Sequence, residues 1–290
     1  MGVGLGLPFV NEANGSGGGG YPENAFLFLL GEAANLDQLS TGLGGPPVVT
    51  GDPVGLWRDT SGNGRDFAQA TAGLRGAYLE TVPPADPEAV TFAAASNRRL
   101  TRSTTAPASG ASTFGIKFRL ASLPGSGVFA LPVRLAAGGS RVNEIYLCNS
   151  GGYQPYHWRL DFTNGAGNGV GIATPLDTDW HTLLIVYDGG GDTLPGSYTA
   201  YLDGEAVSVV ASGSNAGLSS SVGSVGCGDV FGTPFYPFDG DISLVSVYER
   251  ALDAGEIAAW HAAAGIPSSH ILQEDFSYLL TESGDRLHQE

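Results

Sequence analysis

The stretch LWRDTSGNGRDF at 56–67 gathers Asp59, Asn63 and Asp66, whose side-chain oxygens could bind a cation. Ca²⁺ prefers such hard oxygen ligands, completed by turn carbonyls. The spacing is not that of an EF-hand loop, and Asn-Gly beside Asp is also typical of an ordinary turn. Neither phosphate-binding fingerprint is met, because Ser61-Gly-Asn-Gly64 lacks the following lysine or third spaced glycine. The stretch therefore predicts a tight turn, with a structural Ca²⁺ site as the alternative.

Paired carboxylates could perform acid–base chemistry if they shared a strand face. Asp177 with Asp179 and Asp239 with Asp241 have this i, i+2 spacing, but proline or glycine flanks both pairs, which favours solvated strand entrances. The sequence holds no His-Glu-x-x-His zinc motif, its five histidines form no evident cluster, and Cys148 has no local signature of an activated nucleophile. We therefore expect no catalytic residues and no cofactor.

Composition favours an all-β protein. The 290 residues include 45 glycines and 17 prolines, more than long helices tolerate but suited to short strands joined by turns. The net charge of −16 repels nucleic acid and anionic membrane surfaces. Only Cys148 and Cys227 are present, too few for a disulfide framework, and we expect both to be buried free thiols.

Alternating apolar residues predict strands that bury one face, at 114–120 and 156–162. The run at 183–187 is apolar on both faces and suits a strand inside a sandwich, and Asp203-Gly204 predicts a two-residue hairpin turn. Further strands are expected at 128–135, 143–148 and 242–248. Ten or more strands at this length predict a two-sheet antiparallel jelly-roll sandwich.

One short helix is predicted near the carboxyl end. Asp253 and Glu256 have the spacing of a capping box, and Gly265 with Pro267 ends the pattern. We expect this helix to form a lid over one edge or open end of the sandwich. We expect His261 to be a packed or hydrogen-bonded histidine rather than a ligand.

The two ends differ from the middle of the chain. Residues 1–20 are rich in glycine and lack the pattern of a secretory signal peptide, so they predict an extended arm and retention in the cytoplasm where the chain is made. Near the other end, Glu274, Glu282 and Glu290 recur at an even period, which predicts a small β-hairpin tail. Such segments would gain stability by packing against neighbouring chains, which favours a homo-oligomer, such as a trimer.

Several stretches resemble laminin-G-like, concanavalin A-like domains of bacteriophage virion proteins. The resemblance spans most of 31–266, and the order of the stretches is more specific than any one of them. They are GEAANLDQLST (31–41), PVVTGDPVGLWRDTSGNGRDFAQAT (47–71), VTFAAASNRRL (90–100), WHTLLIVY (180–187), YLDG (201–204) and GDISLVSVYERAL (240–252) with Glu256-Ile257. LQEDFSYLLTESGD (272–285) is similar to the tails of phage structural proteins. The resemblance implies a carbohydrate or protein adhesion module, sometimes with a structural calcium, and no reaction.

Aromatic residues in two loop-like stretches are candidate contacts for a glycan or a protein partner. These are Tyr153, Tyr156 and Trp158 in GGYQPYHW, and Phe235 and Tyr236 in VFGTPFYPF. Core packing, a protein contact and a glycan platform remain open as their roles, because most aromatics in a sandwich are buried.

The sequence therefore predicts a non-enzymatic virion protein, a head decoration or tail surface component, made in the host cytoplasm. Its parts are a glycine-rich arm at 1–20, a lead-in segment at 21–50 that packs on the domain, a jelly roll at 51–266 and a β tail at 267–290. Its expected partners are other virion proteins and itself. A carbohydrate-binding adhesin for host surface glycans is the alternative, and a glycoside hydrolase with a displaced acid pair is a third hypothesis.

Overall fold

A computed structural model gives the fold, and strands dominate it. It describes residues 20–80, 87–103, 110–123, 128–136, 142–149, 158–161, 169–172, 177–189, 195–212, 222–226, 228–230 and 233–265. The strands are β1 (Leu27–Leu30), β2 (Leu36–Asp37), β3 (Pro53–Val54), β4 (Leu56–Trp57), β5 (Phe67–Ala68), β6 (Gly76–Leu79), β7 (Ala89–Phe92), β8 (Leu100–Ser103), β9 (Ser112–Leu120), β10 (Val128–Ala136), β11 (Val142–Asn149), β12 (Trp158–Asp161), β13 (Gly169–Ile172), β14 (His181–Tyr187), β15 (Tyr198–Leu202), β16 (Glu205–Val207), β17 (Val209–Ser212), β18 (Val222–Val225), β19 (Gly228–Val230), β20 (Thr233–Phe235) and β21 (Gly240–Tyr248). The helix α1 spans Ala254–Ala263, and short 3-10 turns lie at Ala33–Asn35, Ala72–Leu74, Ala94–Ser96 and Pro195–Ser197.

Two antiparallel sheets contain nearly all of these strands. Sheet A runs in the order β16-β15-β14-β9-β21-β7-β6-β3, with β1 also paired to β21. Sheet B runs in the order β17-β13-β12-β11-β10-β18-β8-β5-β4-β2, and β19 pairs with β20 in a separate hairpin. This is the predicted two-sheet antiparallel sandwich with one short C-terminal helix, and the prediction of fold class is confirmed.

The main core lies between the sheets. Phe114, Ile116 and Phe118 alternate along β9 and point into it from sheet A, where they meet Val133 and Leu135 of β10 in sheet B. All five side chains are at most a few per cent exposed. The period of two in the sequence therefore identified the inner face of β9 correctly.

A second apolar cluster covers the outer face of sheet A and corrects two expectations. Helix α1 packs Ile257 and Trp260 against Leu184 of β14 and Leu244 of β21, so it lies across the sheet and not over an edge or open end. Strand β9 is consequently buried on both faces, although its sequence predicted one. The capping box is present as predicted, with Asp253 accepting from the Glu256 N–H.

Other predicted elements are found at their expected places. Strand β14 is buried from Thr182 to Tyr187, and Asp203 and Gly204 form the turn between β15 and β16 with φ values of 51° and 86°. The lead-in segment contributes β1, whose Leu27 pairs with Val247 of β21. In the described residues, no helix has both the length and the apolar character needed to span a membrane.

Several expectations concern residues outside the described ranges. These are the arm at 1–20 apart from Gly20, the tail at 267–290, Cys227, Tyr153 and Tyr156. Cys148 lies in β11, Trp158 in β12 and Phe235 in β20.

Candidate functional site

Asp59 organises the turn that was the candidate cation site. Its Oδ1 accepts hydrogen bonds from the backbone N–H groups of Phe28 and Ser61, both at 3.0 Å, and its Oδ2 accepts from the Arg65 N–H at 2.9 Å. Asp66 accepts the Asp59 N–H at 2.9 Å. Both carboxylates therefore bind N–H groups, which orient the turn against β1.

Asn63 also connects this turn to the start of β1. Its Nδ2 donates to the carbonyl oxygens of Ala25 at 3.0 Å and Phe26 at 3.1 Å, and the Arg65 guanidinium lies 3.7 Å from the Phe26 ring centroid. The structure thus brings Asp59, Asn63 and Asp66 together, as contacts of a tight turn. Within the described ranges, no three His, Cys, Asp or Glu side chains form a metal-binding group. The Ca²⁺ alternative stays a prediction.

The candidate acid pair Asp239 and Asp241 makes structural contacts. Asp241 is buried, and its Oδ2 accepts from Nε and Nη2 of Arg119 at 3.0 and 2.8 Å, while Oδ1 accepts from the Thr91 hydroxyl at 2.5 Å. Asp239 accepts the Ala94 N–H at 3.2 Å. Asp241 is therefore not the solvated residue that the flanking glycine indicated, because Arg119 on the neighbouring strand satisfies its charge.

One member of the other acid pair, Asp177, joins a histidine bridge, while the backbone N–H of Asp179 donates to the Asp177 carboxylate at 2.7 Å. His181 Nε2 lies 2.8 Å from Asp177 Oδ1, and His181 Nδ1 lies 2.7 Å from Asp203 Oδ2. Burial lowers the pKa of His181, but the hydrogen bonds and charges of Asp203 and Asp177 outweigh it and raise the pKa to about 9. The Asp177 side chain remains 58% exposed, as predicted for a strand entrance. At neutral pH the bridge holds a charged imidazolium, which is unsuited to act as a base.

His261 is buried under α1, as the sequence predicted. Its Nδ1 lies 3.3 Å from the Thr182 hydroxyl, and its ring contacts Trp260 edge-on at a centroid distance of 5.0 Å. Burial lowers the pKa of His261 to about 4, although the charge of Asp203 partly opposes this. A neutral, enclosed imidazole packs the helix against the sheet.

Of the aromatic candidates, Tyr236 is the one whose side chain the structure describes. It is 39% exposed and adopts a positive φ of 48°, which a non-glycine residue seldom does. Its backbone carbonyl accepts the Leu131 N–H at 2.9 Å, so it lies beside β10.

A cavity of about 760 Å³ opens on the outer face of sheet A, where α1 ends. Its lining residues come from six places in the chain. They are Tyr21, Leu30, Glu32, Ala33, Ala34, Pro87, Glu88, Lys117, Ser243, Leu244, Ala263, Ala264 and Gly265. The volume lies within the range of small-molecule binding sites.

A β-bulge shapes the floor of this cavity. The pairing of β21 with β9 shifts between Ile242 and Leu244, so Ser243 is the extra residue. The Ser243 carbonyl accepts the Gly31 N–H at 2.7 Å, and a Cβ on Gly31 would lie 2.8 Å from the Ala89 Cα. Only glycine permits this close approach of the chain after β1, which places Glu32 and Ala33 at the cavity wall.

Lys117 supplies the positive charge of the cavity. Its Nζ donates to the carbonyl oxygens of Ala264 at 2.6 Å and Gly265 at 3.3 Å, which closes the carboxyl end of α1. Burial lowers the pKa of Lys117, and the charge of Asp203 partly opposes this. Two carboxylates line the same cavity as Lys117. That of Glu32 is exposed, and that of Glu88 accepts a hydrogen bond from the Ala33 N–H.

Sequence reasoning missed this cavity. In the alternating strand at 114–120, Lys117 lies on the polar face, which the pattern predicts to face solvent. The bulge at Ser243 cannot be predicted either, because it does not change the hydrophobic pattern of the strand. Nothing in the stretch FGIKFRL predicts that a helix will pack on its polar face. The cavity combines one cation, two carboxylates, a hydroxyl and the ring of Tyr21, a set that can bind a polar, uncharged ligand.

Comparison with protein families identifies the fold. Residues 94–258 match the profile of the Concanavalin A-like lectin/glucanases superfamily in its Laminin G form, which is more than half of the chain. The chain belongs to this superfamily. The expected concanavalin A-like fold is therefore confirmed. No curated protein sequence matches the chain.

Several solved structures are similar to this concanavalin A-like chain at low identity. A Trypanosoma rangeli sialidase in complex with 2,3-difluorosialic acid is 14% identical with a TM-score of 0.48, covering 83% of this chain and 33% of that one. The binding domain of Botulinum Neurotoxin DC in complex with SialylT is 9% identical with a TM-score of 0.47, covering 83% and 52%. The CBM40 of Ruminococcus gnavus IT-sialidase bound to alpha2,6 sialyllactose is 16% identical with a TM-score of 0.34, covering 55% and 85%. This chain thus spans about a third of the sialidase and about half of the neurotoxin domain.

Proposed function

We propose that this protein is a non-enzymatic, lectin-like binding module that holds a carbohydrate in the cavity beside α1. The cavity at the end of α1, with Lys117, Glu32 and Glu88 on its walls, is the observation that carries the proposal. Membership of a superfamily of lectins and glucanases is consistent with it.

The cavity chemistry suits a neutral saccharide. Sugar hydroxyl groups both donate and accept, and the cavity offers a cationic donor, two carboxylate acceptors and the Ser243 hydroxyl. The Tyr21 ring, held edge-on by Phe28 at 4.7 Å and by Trp260 at 6.4 Å, adds a partly exposed aromatic surface. The presence of both charge signs disfavours a strongly ionic ligand.

Glycan-array screening followed by calorimetry with the best neutral glycan tests this proposal. The double variant Tyr21→Phe, Glu32→Gln removes one hydroxyl and one charge while it keeps the Tyr21 ring packing. We expect affinity to fall about tenfold or more, because hydrogen bonds to charged groups contribute strongly. Glu205→Gln alters another exposed carboxylate, at the start of β16, and is the matched control that should bind normally. Unchanged binding by the double variant would refute the cavity as the site.

The aromatic stretches provide the competing location. If Trp158→Ala or Tyr236→Ala abolishes glycan binding while the cavity variant retains it, the carbohydrate binds at those loops. If the array shows no binding by the wild-type chain at all, the lectin proposal fails.

The absence of an enzymatic role is also part of this proposal. Asp241 is paired with Arg119 and Thr91, and Asp239 accepts a backbone N–H, so neither resembles a free general acid. We expect no hydrolysis of any bound glycan on prolonged incubation. Turnover that disappears in Asp239→Asn or Asp241→Asn would establish a glycoside hydrolase instead.

We further propose that the module belongs to a bacteriophage virion, as a head decoration or tail surface component made in the host cytoplasm. The support is the sequence: the glycine-rich arm at 1–20 and the tail at 267–290, in which Glu274, Glu282 and Glu290 recur every eight residues, resemble the ends of phage structural proteins. In this proposal the ends anchor the module to other virion proteins and to sister subunits. Deleting either end should prevent incorporation into particles, measured by immunoblotting of purified virions. Normal incorporation of both deletion variants would refute the anchoring role.

A further inference from the structure

The loop that connects β2 to β3, residues 38–52, exposes large apolar side chains; we call it the apolar loop. Leu43 is 85% exposed, Val48 70% and Val49 55%, and Leu39 is also exposed. In the described part of the chain, the two other large hydrophobic side chains with comparable exposure, Leu123 and Tyr236, lie far along the sequence. Such a concentration in one loop is unusual on a monomer surface and is typical of an interaction site.

The exposure is built into the fold, because two carboxylates hold the loop. Buried Asp37 accepts the N–H groups of Leu39 at 2.8 Å, Gly44 at 3.0 Å and Gly45 at 3.2 Å. Asp52 accepts those of Val48 at 2.8 Å and Val49 at 3.2 Å. These bonds fix the backbone beside each apolar side chain, so the loop presents Val48 and Val49 in a defined arrangement.

The apolar loop lies where both sheets end. Strand β2 is the last strand in the order of sheet B, and β3 is the last in the order of sheet A. The loop therefore crosses from one sheet edge to the other along the side of the sandwich. Edges of this kind are where sheet proteins most readily meet another chain.

The charge distribution around the loop favours a second copy of the same chain as the partner. Residues 38–51 contain no charged side chain, in a protein of net charge −16, so little like-charge repulsion opposes the approach of two copies at this loop. The residues that flank the apolar loop carry both positive and negative charges. Arg58 and Arg75 donate to the carbonyls of Leu36 and Gln38, and Asp52 and Glu80 lie at the other end, where the Glu80 N–H donates to Thr50.

We propose that the apolar loop is the contact through which two copies of this chain associate. A two-fold contact places loop against loop, so that uncharged, apolar surface meets its own copy. Arg75 of one copy then approaches Asp52 and Glu80 of the other copy, whereas Arg58 is already paired with Asp37 of its own chain at 3.3 Å. This inference is independent of the carbohydrate proposal and names a surface on the β body rather than the terminal segments.

Sedimentation equilibrium of the full chain over a wide range of protein concentration tests the inference. We expect wild-type protein to show a concentration-dependent dimer. Leu43→Asp and Val48→Asp should each weaken the dimer about tenfold or more, because each change places a charge on both sides of a two-fold contact. Leu123→Asp, which alters an exposed leucine elsewhere, should dimerise as the wild type does.

Three results would overturn the inference. The wild-type chain could remain monomeric at all concentrations, or the loop variants could dimerise with unchanged affinity. Alternatively, loss of particle incorporation by Leu43→Asp in a chain that is monomeric would place a different protein on the loop. Circular dichroism spectra that match the wild type must accompany each variant, and Leu43→Ser provides a milder change that should weaken the dimer in the same direction.

Discussion

His181 shows how neighbours set the charge of a single residue. Each ring nitrogen of His181 is hydrogen-bonded to one carboxylate, and the side chain is only 11% exposed. The raised pKa of about 9 follows from these partners rather than from burial, which acts in the opposite direction. The fold thus stabilises the protonated form.

This bridge predicts a loss of stability in mild alkali. An unfolded histidine has a pKa of about 6.5, so the stabilisation is complete below that pH and is lost as the pH rises through about 9. We expect the free energy of unfolding to fall by about 1 to 2 kcal/mol between these limits, discounted for the exposed Asp177. Urea denaturation at a series of pH values measures it.

The variant His181→Gln is the control for this prediction. It removes the titrating group, so its unfolding free energy should change much less over the same pH range. Equal pH dependence in the two proteins would show that other groups are responsible.

At the scale of single residues, the sequence predicts contacts that are local. Asp59, Asn63 and Asp66 could be assigned to a turn because each has a hydrogen-bond partner within the turn itself. The contacts of Asp59 and Asn63 with residues 25–28 could not be predicted in this way. The partners of Lys117 are the carbonyls at the end of α1, 147 and 148 residues further along the chain. No spacing rule connects residues so far apart, so the cavity could not be predicted.

At the scale of elements, the packing of α1 on β9 depends on one glycine. A Cβ on Gly115 would lie 2.5 Å from Trp260 Cζ2 and 2.6 Å from Ser246 Oγ, closer than atoms can approach. Trp260 Nε1 donates to the same Ser246 hydroxyl at 2.9 Å. Gly115 therefore creates the space in which the indole is fully buried.

We expect Gly115→Ala to destabilise the fold by about 1 to 3 kcal/mol, because the added methyl group overpacks this contact. Thermal unfolding followed by tryptophan fluorescence would detect it. Gly73→Ala is the matched control, since no atom lies within 4 Å of its added Cβ and its φ is not in the left-handed region. A melting temperature for Gly115→Ala equal to that of the control would contradict the packing described for Trp260.

Element types were easier to predict from sequence than the surfaces that cover them. The Asp203-Gly204 turn and the capping box of Asp253 rest on local backbone chemistry, and both are present. The burial of both faces of β9 and the position of α1 depend on which surfaces meet after folding. An alternating pattern identifies the inner face of a strand but contains no information about a helix that packs on its outer face.

At the scale of the whole molecule, two apolar clusters stabilise the body. One lies between the sheets and the other lies under α1, and the residues described in them run from Tyr21 to Ala264. The clusters meet across β1, β9, β14 and β21, so they should unfold together.

A chain reduced to residues 20–265 is therefore expected to unfold in one cooperative transition, within a few degrees of the full-length chain. Differential scanning calorimetry measures this. A large fall in melting temperature would show that a terminal segment is part of the stable body, and multiple transitions would show that the two clusters unfold separately. The result also establishes whether the deletion variants proposed for the virion assay are folded.

The turn at Asn63 has a consequence for how the protein ages. An asparagine followed by glycine is chemically labile, because the unhindered backbone nitrogen of Gly64 can attack the carbonyl carbon of the side-chain amide and displace ammonia. Water then opens the resulting cyclic imide and leaves a carboxylate. The product carboxylate would face the carbonyl oxygens of Ala25 and Phe26, which now accept the Asn63 amide hydrogens. Deamidation would thus replace two attractive contacts with repulsion at the start of β1, so stored protein should first loosen where the chain enters sheet A.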